Sequence, residues 1–156
     1  VTAKIFNNIT LFNDNISQSE VWDSIDQVGA RRFIEALPNN LNFNVKERGA
    51  SLSVGQRQLI SCIRIMLYDP KIILLDEATS SVDSETESMI QSAISKILKN
   101  RTSIVVAHRL STIKEVDNII VLENGEIKEI GDHNSLNKSG GYYRRLYEMQ
   151  NKNILT

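Results

Sequence analysis

Ile72-Ile73-Leu74-Leu75, followed at once by Asp76-Glu77, is a short apolar run closed by two acids. Apolar at every position and too short for a helix, it reads as a strand covered on both faces. Thr102 to Ala107 (Thr-Ser-Ile-Val-Val-Ala) reads as a second strand of the same kind. Between them lies a helix, Ser84 to Leu98, which Ser84 and Glu87 are expected to open as a capping box. Strand, helix and strand at this spacing form a crossover unit. The two strands are therefore expected to lie parallel in one sheet with the helix on a face, and the architecture is α/β.

Downstream, the apolar stretches Asn118 to Glu123 and Glu126 to Ile130 flank Asn124-Gly125. Both turn residues must accept positive φ, which makes this a strong hairpin signal and predicts that the sheet finishes on an antiparallel edge. His133 to Asn137 reads as one helical turn, and Tyr142 to Asn151 as a terminal helix after Ser139-Gly140-Gly141. Upstream, Val54 to Tyr68 has helical periodicity through Leu59, Ile63, Met66 and Leu67. Ser53 and Gln56 form a capping-box pattern at its start, and Asp69-Pro70 ends it. A further helical pattern opens at Ser19 and breaks at Gly29, and a short one runs from Arg31 to Leu37. Pro38 to Asn44 is expected to be loop, and Val1 to Asn15 shows no clear period.

With 41% hydrophobic and 24% charged residues, the 156-residue chain can pack the core of one globular domain. The net charge of −1 lacks the basic footprint of a nucleic-acid binder, so no nucleic-acid partner is expected. Cys62 is the sole cysteine and sits in an apolar run, which predicts a buried, inert thiol. No stretch is long and apolar enough to span a bilayer. The start, Val1-Thr2-Ala3-Lys4, has neither an initiating Met nor a signal-peptide pattern, and is expected to continue from a longer polypeptide.

The acid pair carries the first chemistry. Acids after an apolar strand stand at the carboxyl edge of the sheet, where open α/β folds bind ligands. In phosphate-loop NTPases an Asp so placed holds Mg²⁺ through its water shell and a neighbouring carboxylate polarises the attacking water. Asp76 suits the first role and Glu77 the second, although capping of a following helix explains such acids nearly as well. Leu52-Ser53-Val54-Gly55-Gln56, one helix upstream, resembles the signature motif of ATP-binding-cassette (ABC) ATPases, with Val54 where the family has its first glycine. Ser81-Val82-Asp83 is similar to the family's D-loop, and His108, after an apolar strand, looks like its switch histidine.

The resemblance covers almost the whole chain. It implies a partial phosphate-loop NTPase core plus an ABC α-helical subdomain, with the helical subdomain and signature helix over about 14–68 and the α/β core over about 69–156. It implies ATP and Mg²⁺ as ligands and two domains meeting head to tail, the signature of one covering ATP held by the other. Ser53, Gly55, Gln56 and Asp83 would then face nucleotide, Asp76 the metal, and Glu77 and His108 the reaction. A helix N-terminus with a Ser hydroxyl and a close-approach glycine suits a phosphate, and serves equally as a well-capped helix. Arg109 is assigned no role, and His133, in Gly131-Asp132-His133, is expected to be structural.

A phosphate-binding loop needs Gly-x-x-x-x-Gly-Lys-Ser/Thr. None of the seven glycines here precedes a lysine. Ile5-Phe6-Asn7-Asn8-Ile9 resembles the stretch after the family's Q-loop, so the Q-loop glutamine is also absent, and the isolated chain is expected to be inactive. Val45-Lys46-Glu47-Arg48-Gly49 resembles the X-loop of exporter cassettes, whose Glu47 would face the coupling helices of a membrane domain in the same polypeptide, at the cytoplasmic face of the membrane. The ending from Glu123 to Leu146 also resembles that exporter class. The alternatives are a soluble non-transport cassette, which should show coiled-coil arms or a basic surface, and a truncated module that only pairs with an intact cassette. The cargo is not encoded in these residues.

Overall fold

The computed structural model describes residues 3–46, 50–76, 82–106, 113–114 and 116–153, with side chains described as far as 149. They cluster in two compact units, the first comprising Val1–Leu75 with Thr79–Ile104 and the second Asp76–Ala78 with Val105–Thr156. Helices α1 (Ile5–Thr10), α2 (Gln18–Val28), α3 (Arg31–Ala36), α4 (Val54–Tyr68) and α5 (Ser84–Leu98) belong to the first unit.

The first unit is built around α4. Leu59, Ile60, Cys62 and Ile63 are buried on its inner face against Val21, Ile25 and Val28 of α2 and Ile90, Ala93, Ile94 and Ile97 of α5. Each fully buried Leu or Ile contributes about 1.5–3 kcal/mol relative to exposure, so this aliphatic seam holds the helices together. Burial pushes the Cys62 thiol up to about 11, the inert state its apolar neighbours imply. Helix α4 stops where Asp69 takes a left-handed φ of 43° ahead of Pro70. Arg101 reaches back to that corner, donating to Asp69 Oδ1 at 2.6 Å and to the Ile97 carbonyl at 2.6 Å.

Helix α2 begins at Gln18, one residue earlier than Ser19. Ser17 caps it in a reciprocal box: Glu20 N–H donates to Ser17 Oγ at 3.3 Å, and Ser17 N–H to Glu20 Oε2 at 2.8 Å. Gly29 ends it at φ 82°, as its position in the pattern predicts. On the outer surface Arg31 donates to both Asp26 carboxylate oxygens at 2.6 Å, and its guanidinium carbon lies 4.8 Å from the Trp22 ring centroid. The aperiodic N-terminal stretch contains α1, with Ile5 and Ile9 buried. Its last carbonyls are capped from α4, Arg64 Nε donating to Asn8 O and the Tyr68 hydroxyl to Thr10 O, each at 2.6 Å. The Asn-rich loop holds a 3₁₀ turn, Asn40–Asn42, entered through left-handed Asn39, and leads into β2 (Asn44–Val45), which pairs antiparallel with β1 (Ala3–Lys4).

Strands β3 (Ile72–Asp76) and β4 (Thr102–Val106) pair with each other, with α5 as the intervening helix. The expectation of cover on both faces fails on one. Ile73 is buried, whereas Ile72, Leu74 and Ile104 are 65%, 76% and 61% exposed. Helix α5 covers the expected range but has a different cap. Asp83, in extended backbone, is the cap and its Oδ1 accepts from Thr86 N–H at 2.9 Å, so Ser84 is already the first helical residue.

In the second unit β5 (Ile119–Glu123) and β6 (Glu126–Gly131) form the hairpin, with Asn124 and Gly125 at φ 53° and 78°. Among the described residues it forms a two-stranded antiparallel sheet. Val121 packs inward with Leu136 of α6 (His133–Ser139) and Tyr143 of α7 (Tyr142–Asn153). Ile120, Leu122, Ile127 and Ile130 are exposed. His133 is structural, as expected: its Nδ1 lies 2.6 Å from the Tyr143 hydroxyl and its ring tilts against Tyr147. Glu129 Oε2 accepts from Tyr143 N–H at 2.7 Å and so caps α7 from the neighbouring strand.

Candidate functional site

Two capped helix ends lie side by side in the first unit. At the start of α4, Ser53 takes extended backbone at φ −65°, ψ 166°. Gln56 N–H donates to Ser53 Oγ at 3.1 Å, and Ser53 N–H donates to Gln56 Oε1 at 3.0 Å. Leu52, just before the cap, is buried, and Arg57 Nη1 donates to its carbonyl at 2.7 Å, which fixes the path of the chain into the helix. The first turn of α4 contains no acidic residue.

This box is closed by side chains of Ser53 and Gln56 and uses their two N–H groups. The N–H groups of Val54 and Gly55, at the first two helical positions, have no carbonyl one turn back within the helix. Together with the helix dipole they give this end the character of an anion site. Ser53, Gly55 and Gln56 thus share one helix end, closed by a reciprocal capping box.

The start of α5 is the other end. Asp83 caps it, and the Thr86 backbone N–H holds the Asp83 carboxyl below the usual carboxylate range. It meets α4 through Gly55. That glycine is buried, and a Cβ built on it would lie 2.5 Å from Thr86 Cγ2 and 2.7 Å from Val82 Cγ1. The structure therefore brings Ser53, Gly55, Gln56 and Asp83 into one neighbourhood. Val82 and Thr86 belong to it too, and sequence reasoning missed Thr86. No local signal could have found it, because its contact with Gly55 spans two helices.

Asp76 is the last residue of β3 and is exposed. Among the described residues no group of three or more His, Cys, Asp or Glu side chains could hold a metal ion. A lone exposed carboxylate fits Mg²⁺, which keeps several waters and is commonly bound through one or two carboxylates plus substrate phosphates. Glu77, His108 and Glu47 lie outside the described residues, as do Ser81 and Arg109. No helix among the described residues is long and apolar enough to cross a membrane.

Residues 2–80, just over half of the chain, match the family model described as ABC transporter. The chain belongs to that family. It is 44% identical over 149 residues to a probable multidrug resistance ABC transporter ATP-binding/permease protein of Bacillus subtilis, an alignment covering 96% of this chain and 22% of that protein. It is 42% identical over 160 residues to the ATP-dependent lipid A-core flippase of Shewanella oneidensis, covering 95% of this chain and 27% of the flippase. A solved structure of a bacterial Atm1-family ABC exporter with ATP bound superposes with a TM-score of 0.81 at 37% identity, covering 94% of this chain and 26% of that one. The chain thus spans about a quarter of the length of each of these three.

Proposed function

We propose that this chain supplies the signature, acid-strand and switch-histidine portion of an ATPase domain that drives an exporter. Ser53, with the N–H groups of Val54 and Gly55, binds the γ-phosphate of ATP held on the phosphate loop of a second such domain, in a head-to-tail dimer. Gln56 keeps that helix end ordered, and Asp83 addresses the same nucleotide from the neighbouring helix end. Asp76 would hold Mg²⁺ through its water shell, and the bound ion would supply charge neutralisation at the phosphate oxygens. Glu77 accepts a proton from the attacking water, and His108 contacts the γ-phosphate or that water. Glu47 faces the coupling helices of a membrane domain in the same polypeptide, at the cytoplasmic face of the membrane. Residues 14–68 serve as the helical subdomain and 69–156 as part of the α/β core.

The observation that carries this reading is the α4 N-terminus, a serine-capped helix end without an acidic residue, on the signature residues of a chain in the ABC transporter family. The exporter assignment draws on the relatives, which unite ATP-binding and permease functions or are named as a flippase or an exporter. The phosphate-loop pattern is absent from these residues, so the 156-residue chain alone is expected neither to bind Mg-ATP at micromolar concentration nor to hydrolyse it. Titration calorimetry on the chain checks this.

The decisive test is made on the longer polypeptide that carries the chain. Glu77→Gln should preserve ATP binding and lower Mg-ATP turnover at least about a hundredfold, because the amide keeps the shape and loses the proton acceptor. Wild-type turnover in that variant would remove Glu77 from the mechanism. No Mg-ATP turnover in the unmutated polypeptide would sink the ATPase reading altogether.

A further inference from the structure

Position 55 is defined by the side chain it lacks. Its φ is not left-handed, so the backbone conformation would accept any L-residue. Helix propensity alone would favour alanine over glycine. What excludes alanine is its surroundings. The distances of 2.5 and 2.7 Å from an added Cβ to Thr86 Cγ2 and Val82 Cγ1 are far inside the ~3.5–4.0 Å at which carbon atoms pack. Position 54 is the contrast. The family has a glycine there, this chain has valine, and Val54 is 38% exposed, so a side chain at 54 meets no such barrier.

Both obstructing side chains belong to the second helix end. Val82 immediately precedes the Asp83 cap, and Thr86 carries the N–H that the cap receives. A methyl group on Gly55 would therefore displace the Asp83 cap, the Ser53 cap, or both. We infer that Val82 and Thr86 are positioning residues that key the Asp83 helix end to the Ser53 helix end at one fixed separation, and that glycine is required at 55 by this contact. Its consequence for turnover rests on the ATPase reading above, since the two ends are the ones assigned to nucleotide there.

The test is a mutant cycle in the longer polypeptide: Gly55→Ala, the pair Val82→Ala with Thr86→Ser, and all three together. The paired changes remove Cγ1 and Cγ2 while keeping the Thr86 N–H and a hydroxyl at 86. Gly55→Ala alone should lower kcat at least about tenfold with KM for ATP changed less than about threefold, the pattern of misplaced groups rather than lost binding. The triple variant should recover kcat to within about threefold of the pair. A triple variant slower than the pair by as large a factor as Gly55→Ala is slower than the unmutated protein would overturn the inference and place the loss in blocked phosphate access. A Gly55→Ala protein with wild-type kcat would overturn it too.

Thermal unfolding of the same four proteins gives a reading that needs no ATPase activity. Strongly non-additive midpoints, with the triple variant recovering what Gly55→Ala loses, support the key, and additive midpoints overturn it. An unmutated polypeptide that hydrolyses no ATP but shows the non-additive midpoints would refute the function proposed above and leave the contact standing.

Discussion

Helices α2 and α4 start in the same way and differ in one atom type. Both have a serine cap, Ser17 and Ser53, and both close a reciprocal box with the residue three positions on. In α2 that residue is Glu20, a carboxylate placed where the helix dipole favours negative charge. In α4 it is Gln56, which makes the same two hydrogen bonds without the charge. Helix α5 goes further than α2, with Asp83 as cap and Glu85 and Glu87 in its first turn. Negative side chains at α2 and α5 already use the attraction of their N-termini. At α4 that attraction is left for something else, which is what a phosphate-facing end needs.

The comparison breaks most visibly if Gln56 is exchanged for Glu. The box should survive and the melting temperature should stay within a degree or two, while ATP turnover in the longer polypeptide falls roughly tenfold or more, since a like charge beside a phosphate costs on the order of 1 kcal/mol or above. Unchanged turnover would mean that the absence of an acid at the start of α4 has no bearing on nucleotide. Next in size, Ser17→Ala and Ser53→Ala should each cost about 1 kcal/mol of stability in denaturant unfolding. Only Ser53→Ala should also slow hydrolysis. Equal effects of the two on turnover would reduce Ser53 to a cap.

The smallest effect concerns pH. Hydrogen bonds from the Ser17 side chain and backbone hold the Glu20 carboxyl below its ordinary value of 4.5. A carboxyl lowered in the folded state contributes stability that is present above 4.5 and is lost as pH falls through the lower folded value. Melting curves taken from neutral pH downward should therefore converge for wild type and Glu20→Gln below that range. The α4 box has no carboxylate to titrate, so Gln56 contributes no such dependence.

The parts legible in the sequence are those encoded within a few residues. Helix α4 runs over Val54–Tyr68 as its pattern predicts, because Ser53, Gln56, Asp69 and Pro70 mark both ends locally. The hairpin at Asn124-Gly125 is local in the same sense. Helix α1 was hidden because its carbonyls are capped by Arg64 and Tyr68, far along the chain. Helix α5 covers Ser84–Leu98 as expected, but its cap is Asp83 and not Ser84, because both residue types can serve as caps and only the fold decides between them. At the site, Ser53, Gly55 and Gln56 were found through a contiguous motif. Its dependence on Val82 and Thr86 is a tertiary contact with no periodicity or spacing to betray it.

Trp22 is the only tryptophan in these 156 residues, and the guanidinium of Arg31 lies over its ring, tethered by Asp26. The Trp22–Arg31 pair therefore bridges the joint at Gly29 between α2 and α3, and loss of that contact is expected to change the indole's emission. The chain carries a built-in optical gauge of its helical part, readable without any label.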